Sequence, residues 1–231
     1  MPTTAPEKLT PKGRATRERI VAAAAELMSQ RGVARTTIED IQEAAAVSTS
    51  QMYHYFADKG DLVAAVIDFQ TDRVLAVQHL GLDRLECLED LRRWRDIMVD
   101  MMRRLGFVGG CPIGSLANEL AETDPLARAQ VARSFVQWET MIRDGLKAIA
   151  ARGELPEGTE VDNLALATLA AIQGGLLLSQ VRRDTAPLEA AVDTMIEHLR
   201  TLGVRSSTPP AVSAFDHHTA RDNPPPGERR W

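Results

Sequence analysis

Two short polar motifs near the N-terminus have the residue types and the spacing to begin helices that read DNA. Thr36-x-x-Glu39 and Ser48-x-x-Gln51 both fit the capping box, in which side chains satisfy the free N–H groups at a helix start. The two starts lie twelve residues apart, which leaves room for a helix, a short turn and a second helix. This spacing predicts a helix-turn-helix at about residues 37–56.

The second helix of this pair has an apolar face and a polar face. Met52, Tyr55 and Phe56 share the apolar face at positions i, i+3 and i+4. The polar face suits DNA, because glutamine makes paired hydrogen bonds with adenine and hydroxyl groups bond to bases or phosphates. The alternative is that Tyr53 and His54 only cover the domain surface. The candidate DNA-binding residues from this reasoning are Arg14, Thr36, Thr37, Ser48, Thr49, Ser50, Gln51, Tyr53 and His54.

Charge is distributed unevenly along the chain. The net charge is −5, yet residues 1–35 carry seven Lys or Arg residues against three Glu residues. A basic end on an acidic protein is expected of a small DNA-contacting head on a larger body. A solvated helix face is the alternative interpretation of the same charges.

Several classes of function are disfavoured. Cys87 and Cys111 are the two cysteines, and their spacing suits neither a disulfide framework nor a metal site. The N-terminus lacks the apolar core of a signal peptide, and no apolar run approaches the roughly 18 residues that span a bilayer. The sequence has no Gly-rich phosphate loop, Ser nucleophile elbow or His–carboxylate cluster. We therefore expect a cytoplasmic protein that is not an enzyme and binds no metal, cofactor or membrane.

Helical periodicity is nearly continuous and strand signals are scarce, so the pattern predicts an all-α fold of about nine helices. We expect a flexible basic arm at 1–13 and an N-terminal three-helix domain with the helix-turn-helix at 14–74. A larger helical domain follows at 75–203. Residues 204–231 are Pro-rich without apolar period, which predicts a disordered tail.

Residues 14–74 resemble the DNA-binding domain of TetR-family transcriptional regulators. The resemblance rests on "RERIVAAAAELMSQRGVARTTIEDI" and "AAAVSTSQMYHYFADKGDLVAAVI", with Y-H-Y-F followed by x-x-K-x-x-L as the most specific part. It implies that Lys59 begins the fourth helix and contacts the DNA backbone. Two residues depart from the pattern. Ala46 stands where the turn usually has Gly, at a cost of about 1 kcal/mol if its φ is positive, and Gln42 replaces a small apolar residue.

The segment "GCPIGSLANELAETDPLARAQVARSFVQWE" resembles a TetR subgroup with Gly-Cys-Pro before the sixth helix. With it, the resemblance covers most of residues 14–202. It implies a C-terminal domain that binds a ligand and forms a homodimer through its last two helices.

The composition of one predicted helix also favours packing against a helix of a partner chain. The segment from Leu164 to Leu178 is apolar nearly all round and contains a Gly pair. The alternative is a buried central helix that bends at the glycines. The candidate interface residues are Gly174, Gly175, Leu178, Val192, Met195 and Leu199.

Methionines and aromatic residues of the second domain could line an adaptable apolar pocket, although such stripes are also typical of plain core. The family resemblance favours the pocket. Cys111 has no charged neighbour in sequence, which favours a structural role over a redox role. The candidate pocket residues are Phe69, Arg73, Trp94, Met98, Met101, Met102, Phe107, Cys111, Trp138, Met141, Gln173 and Leu177.

Taken together, the sequence predicts a homodimeric repressor that a small apolar or amphipathic effector releases from a palindromic double-stranded DNA operator. An activator or an effector-independent regulator is an alternative that keeps DNA binding. A helical small-molecule-binding protein without an operator is an alternative from another class.

Overall fold

The computed structural model describes residues 9–206, and within this range the chain forms nine α-helices and no strand. The predicted all-α fold is confirmed. The helices are α1 (Pro11–Arg31), α2 (Ile38–Ala45), α3 (Thr49–Tyr55), α4 (Lys59–Leu82), α5 (Asp90–Arg104), α6 (Pro112–Leu120), α7 (Pro125–Ala151), α8 (Val161–Arg182) and α9 (Ala186–Ser206).

The helix-turn-helix begins one residue later than the first motif predicts. Thr37, not Thr36, caps α2, and it forms the capping box with Asp40. Thr36 is fully buried, and its Oγ1 donates to the Gly32 carbonyl at 2.8 Å. The prediction that Thr36 caps the helix or contacts DNA is therefore wrong, because its side chain fastens the α1–α2 loop from inside.

Several element limits differ from those expected. Thr10 caps α1, which begins at Pro11, so the predicted arm at 1–13 overlaps the first helix. α4 continues without a break past the expected domain boundary at residues 74–75, and the two domains share it. α9 reaches Ser206, within the predicted tail. The rest of the predicted arm and tail, residues 1–8 and 207–231, lies outside the described residues.

Two apolar cores hold the helices together. The N-terminal core contains buried residues of α1 to α4, such as Ile20 and Leu62, but also Ile113 and Leu116 of α6. The C-terminal core is built around Trp94 and Trp138 with residues of α4, α5 and α7 to α9. α6 therefore packs on the helix-turn-helix domain, although it follows the fifth helix of the chain. Burial of apolar surface in these cores, at about 25 cal/mol per Å², supplies most of the free energy that stabilises the fold.

Ala46 ends α2 in the left-handed conformation, with φ 50° and ψ 53°. In this region the Cβ of an L-residue lies too close to the backbone, which is why the turn favours glycine. Ala46 therefore has the positive φ at which alanine destabilises the turn relative to glycine.

Replacing Ala46 by Gly should stabilise the folded chain by up to about 1 kcal/mol, because glycine adopts this conformation without strain. For a chain of this size the melting temperature should rise by about 2–4 °C. Ala44→Gly is the matched control, since Ala44 is an exposed helical residue of α2 and its replacement should lower the melting temperature. Calorimetry measures both, and a lower melting temperature for Ala46→Gly would contradict the assignment of strain.

Candidate DNA-binding surface and effector cavity

α3 divides its residues between the core and solvent as its sequence predicts. Met52 and the capping residue Phe56 are buried at 1% and 3% exposure and anchor the helix on the N-terminal core. The Tyr53 side chain is 55% exposed. The polar residues that share this solvent-facing surface are Thr49, Ser50, Gln51 and His54.

Gln51 has a local partner that changes its expected role. Its Oε1 accepts from the Ser48 backbone N–H at 3.0 Å, while Ser48 Oγ accepts from the Gln51 N–H at 3.2 Å. The predicted Ser48 capping box is confirmed. A paired contact with adenine needs both the oxygen and the nitrogen of the amide, so the cap competes with it. Ser50 and Tyr53 are exposed α3 side chains that stay candidates for base contact.

Basic residues of α1 brace the helix-turn-helix. The Arg19 Nε donates to the Ala45 carbonyl at the end of α2 at 2.8 Å, and the Arg17 guanidinium lies 5.1 Å from the centre of the Phe56 ring. Arg14 is exposed, and its Nη1 donates to the Leu9 carbonyl at 2.7 Å. Part of the N-terminal positive charge is thus used to position α2 and α3, and Arg14 remains a candidate for phosphate contact.

Val33, in the loop between α1 and α2, is held from two sides. Lys59, the first residue of α4, donates from Nζ to the Val33 carbonyl at 2.7 Å. Glu119 of α6 accepts the Val33 N–H through Oε2 at 2.6 Å. Both contacts satisfy backbone groups that no helix satisfies, since Val33 lies between two helices. The Lys59 ammonium keeps two further donors for DNA.

A cavity of about 380 Å³ opens beside α4, within the size range of small-molecule sites. Its walls come from α1, α4, α5, α7 and α8 and from the loop that leads to Pro112, the first residue of α6. The lining is largely apolar. The predicted pocket residues that line it are Arg73, Met98, Met101, Met102, Cys111 and Trp138.

α8 exposes an apolar stripe along its length. Gly174 faces open space, and the large side chains of the stripe are about half exposed or more. The large residues are Leu166, Leu177, Leu178 and Val181. By length and composition alone, this helix of 22 residues is apolar enough to cross a membrane. Only 33% of its most apolar stretch is buried, so its outer side is an apolar surface that a partner can cover.

Comparisons with known proteins agree with this architecture. The family model described as "Bacterial regulatory proteins, tetR family" matches residues 20–66, and "Tetracyclin repressor-like, C-terminal domain" matches residues 87–195. The chain is 30% identical over 199 residues to the probable HTH-type transcriptional regulator ArpR of Pseudomonas putida, covering 80% of this chain and 91% of ArpR. A TetR transcriptional regulator structure from Chloroflexus aurantiacus is 30% identical with a TM-score of 0.72, covering 82% of this chain and 96% of that one.

This chain belongs to the TetR family. An uncharacterized HTH-type regulator of Mycobacterium tuberculosis is also similar, with 29% identity over 182 residues that cover 75% of this chain and 88% of the relative. These relatives are transcriptional regulators, not enzymes. The helix-turn-helix is accordingly a DNA-binding module, and this TetR-family protein is a DNA-binding transcriptional regulator.

Six predicted pocket residues do not line the cavity of this TetR-family protein. Trp94 lies one layer behind it, fully enclosed, with its Nε1 donating to Gln78 Oε1 at 2.8 Å. The prediction that Leu177 lines the pocket is wrong for a different reason, since this side chain lies on the outer stripe of α8. Gln173 lies beside the Cys111 thiol. The remaining three, Phe69, Phe107 and Met141, pack against the two cores.

Three predicted interface residues face their own chain. A Cβ on Gly175 would lie 2.9 Å from the Leu188 Cα, so this glycine allows α8 and α9 of one chain to approach closely. Val192 and Leu199 are buried in the C-terminal core at 1% and 2% exposure. Their placement in an interface is wrong. The remaining candidates differ, because Gly174 and Leu178 are exposed and Met195 is half-buried.

The Gly-Cys-Pro segment of this TetR-family protein has a structural explanation. Gly110 has φ +57°, Cys111 caps α6 by accepting the Gly114 N–H on Sγ at 3.4 Å, and Pro112 occupies the first helical position. Burial raises the pKa of the Cys111 thiol, which disfavours the reactive thiolate. The geometry thus favours the structural role of Cys111 over the redox role.

Replacing Lys59 by Ala should weaken binding to all DNA sequences alike and reduce the slope of log affinity against log salt by about one unit, because one phosphate contact is lost. Fluorescence anisotropy with a random duplex, at several salt concentrations, measures both effects. Lys147→Ala is the matched control, since Lys147 is an exposed lysine of α7. An unchanged salt slope in Lys59→Ala would remove Lys59 from the DNA contact.

Proposed function

We propose that this regulator is a cytoplasmic homodimeric repressor that releases a near-palindromic operator when a small apolar or amphipathic molecule fills the cavity. Repression and release by an effector are typical of the TetR family. Two recognition helices in a dimer must lie about 34–36 Å apart to enter successive major grooves. An effector that changes the position of α4 or α6 changes this spacing.

One observation carries the proposal: α4 and α6, whose side chains hold the Val33 backbone, also contribute to the wall of the cavity. Cys111 and Pro112, at the start of α6, line the cavity, and Glu119 at its other end holds the Val33 N–H. α4 lines the cavity in its middle and holds the Val33 carbonyl through Lys59. A displacement of either helix by a ligand therefore reaches the entrance of the helix-turn-helix through a hydrogen bond.

The free energy needed for release is modest. Weakening operator binding a hundredfold requires that the effector favour the released state by about 3 kcal/mol. Linkage is reciprocal, so the operator must weaken effector binding by the same factor. A compound that binds equally tightly with and without operator would show that release does not occur.

Replacing Glu119 by Ala should loosen the α1–α2 loop without unfolding α6, because it removes the carboxylate that holds the Val33 N–H. Loss of one hydrogen bond to a charged group, roughly 1.5 kcal/mol, corresponds to about tenfold faster amide exchange at Val33. Glu122→Ala is the matched control, since Glu122 is exposed in the turn that follows α6. Hydrogen exchange by NMR measures the effect. Equal exchange rates in both variants would exclude Glu119 as the link between cavity and helix-turn-helix.

Replacing Leu177 by Arg should convert the dimer to monomers, because it places an unpaired charge in the apolar stripe of α8. Leu126→Arg is the control, since Leu126 is 84% exposed at the start of α7, outside the stripe. Sedimentation velocity gives the oligomeric state of each variant. A Leu177→Arg protein that stays dimeric would remove the stripe from the interface.

A further inference from the structure

A glutamine of α4 presents a hydrogen-bond donor to the cavity in a fixed orientation. Gln78 lines the cavity, is 3% exposed, and accepts through Oε1 from the Trp94 Nε1 at 2.8 Å. An indole N–H is only a donor, so the amide atom that faces it must be the oxygen. The Gln78 NH₂ group is consequently left as the free end of the amide.

A second glutamine lies on the same side of α4. Gln70 stands eight residues before Gln78, close to two helical turns, and it also lines the cavity. It is 6% exposed. Thr71 and Gln78 of this helix have side-chain partners, whereas the Gln70 amide makes no hydrogen bond within residues 9–206. Gln70 thus offers the cavity an amide that no protein group in this range pairs, and a ligand with a matching acceptor gains a hydrogen bond there.

The cavity offers no buried charge to a ligand. Its lining includes three ionisable side chains, and two of them, Glu26 and Arg73, are exposed at its edge with opposite charges. The Arg73 guanidinium lies over the Phe69 ring, 5.6 Å from its centre. The third is Cys111, whose pKa is raised by burial, so it stays neutral. A charged ligand would lose its hydration without gaining a buried counter-ion.

We propose that the effector is an uncharged, mostly apolar molecule with a carbonyl or similar acceptor oxygen, which accepts hydrogen bonds from the Gln78 and Gln70 amides. This inference rests on the proposed function and specifies its ligand. The methionines and Leu176 enclose the apolar part of the molecule. Trp94 acts as a positioning residue, because it orients the Gln78 amide without reaching the cavity.

Three compounds of similar shape test this chemistry. Benzophenone has a carbonyl between two rings, diphenylmethane has a methylene in its place, and para-benzoylbenzoate adds a negative charge. Isothermal titration calorimetry should show benzophenone binding at least about tenfold more tightly than diphenylmethane, because each net hydrogen bond to the carbonyl is worth up to about tenfold. Para-benzoylbenzoate should bind more weakly than benzophenone. Equal affinity for benzophenone and diphenylmethane, or tightest binding of the carboxylate, would overturn the inference.

Variants identify the donors. Gln70→Leu should leave the melting temperature of the free protein unchanged or raised, and should reduce the preference for benzophenone over diphenylmethane. Gln78→Leu is combined with Trp94→Phe, so that no indole N–H is left unpaired, and should also reduce the preference. Gln137→Leu, at an exposed position of α7, is the control and should keep it. Full retention of the preference when Gln70→Leu, Gln78→Leu and Trp94→Phe are combined would exclude these amides.

Operator binding separates this inference from the proposed function. A gel shift with the DNA that flanks the gene is measured on the same samples. A specific band together with no binding of any of the three compounds would overturn the ligand chemistry and leave DNA binding standing. Loss of the band by benzophenone in the parent protein, but not in the Gln70→Leu variant, would support both.

Discussion

The backbone of Val33 imposes the constraint on which the arrangement of the two domains depends. Where α1 ends and α2 has not begun, a buried N–H and C=O need partners, and leaving them unpaired costs on the order of 1–3 kcal/mol each. The C=O accepts from Lys59 Nζ of α4 and from the Thr36 N–H, and the N–H donates to Glu119 of α6. Val33 is itself buried at 7% exposure. The entrance to the helix-turn-helix is thus fixed by side chains of α4 and α6, and in the proposed mechanism these two helices pass movements of the second domain to it.

A second set of contacts ties the cavity to α8. The loop that precedes α6 contains Gly106, Phe107, Gly109 and Gly110 with positive φ, which is unfavourable for Phe107. Arg183, at the end of α8, donates from Nη1 to the Phe107 carbonyl at 2.6 Å and holds the loop in this form. Because Gly109 and Gly110 line the cavity, a bound ligand contacts a loop that α8 restrains. The proposed dimer helix therefore borders the cavity directly through Leu176 and restrains the cavity loop through Arg183.

The sequence predicts elements better than it predicts which side of an element faces inward. Periodicity and caps yield the nine helices and the Ser48 motif. Thr36 and Thr37, however, are adjacent and each has an acid three residues later, so only the burial of Thr36 under the α1–α2 loop decides which one caps. α8 is apolar nearly all round, so the local pattern cannot show that Gly174 faces outward and Gly175 faces α9. Gln70 and Gln78 are absent from the predicted pocket, whose polar members were Arg73 and Gln173. Two amides eight residues apart in α4 were the available signal.

The composition of α8 follows from two packing requirements on one helix. Its inner side, with Ala165, Leu169 and Ile172, is fully or nearly buried in the C-terminal core. Its outer stripe is equally apolar, so that only 33% of the most apolar window is buried within one chain. A stripe of this kind is costly to leave in water, and in the proposed dimer a second copy of the same stripe covers it by symmetry. Gly174, with no atom near its missing Cβ, leaves space where two such helices cross. In the proposed dimer the same pairing supplies the second recognition helix that a palindromic operator requires, so the apolar character of α8 and the proposed reading of DNA by α3 depend on one association.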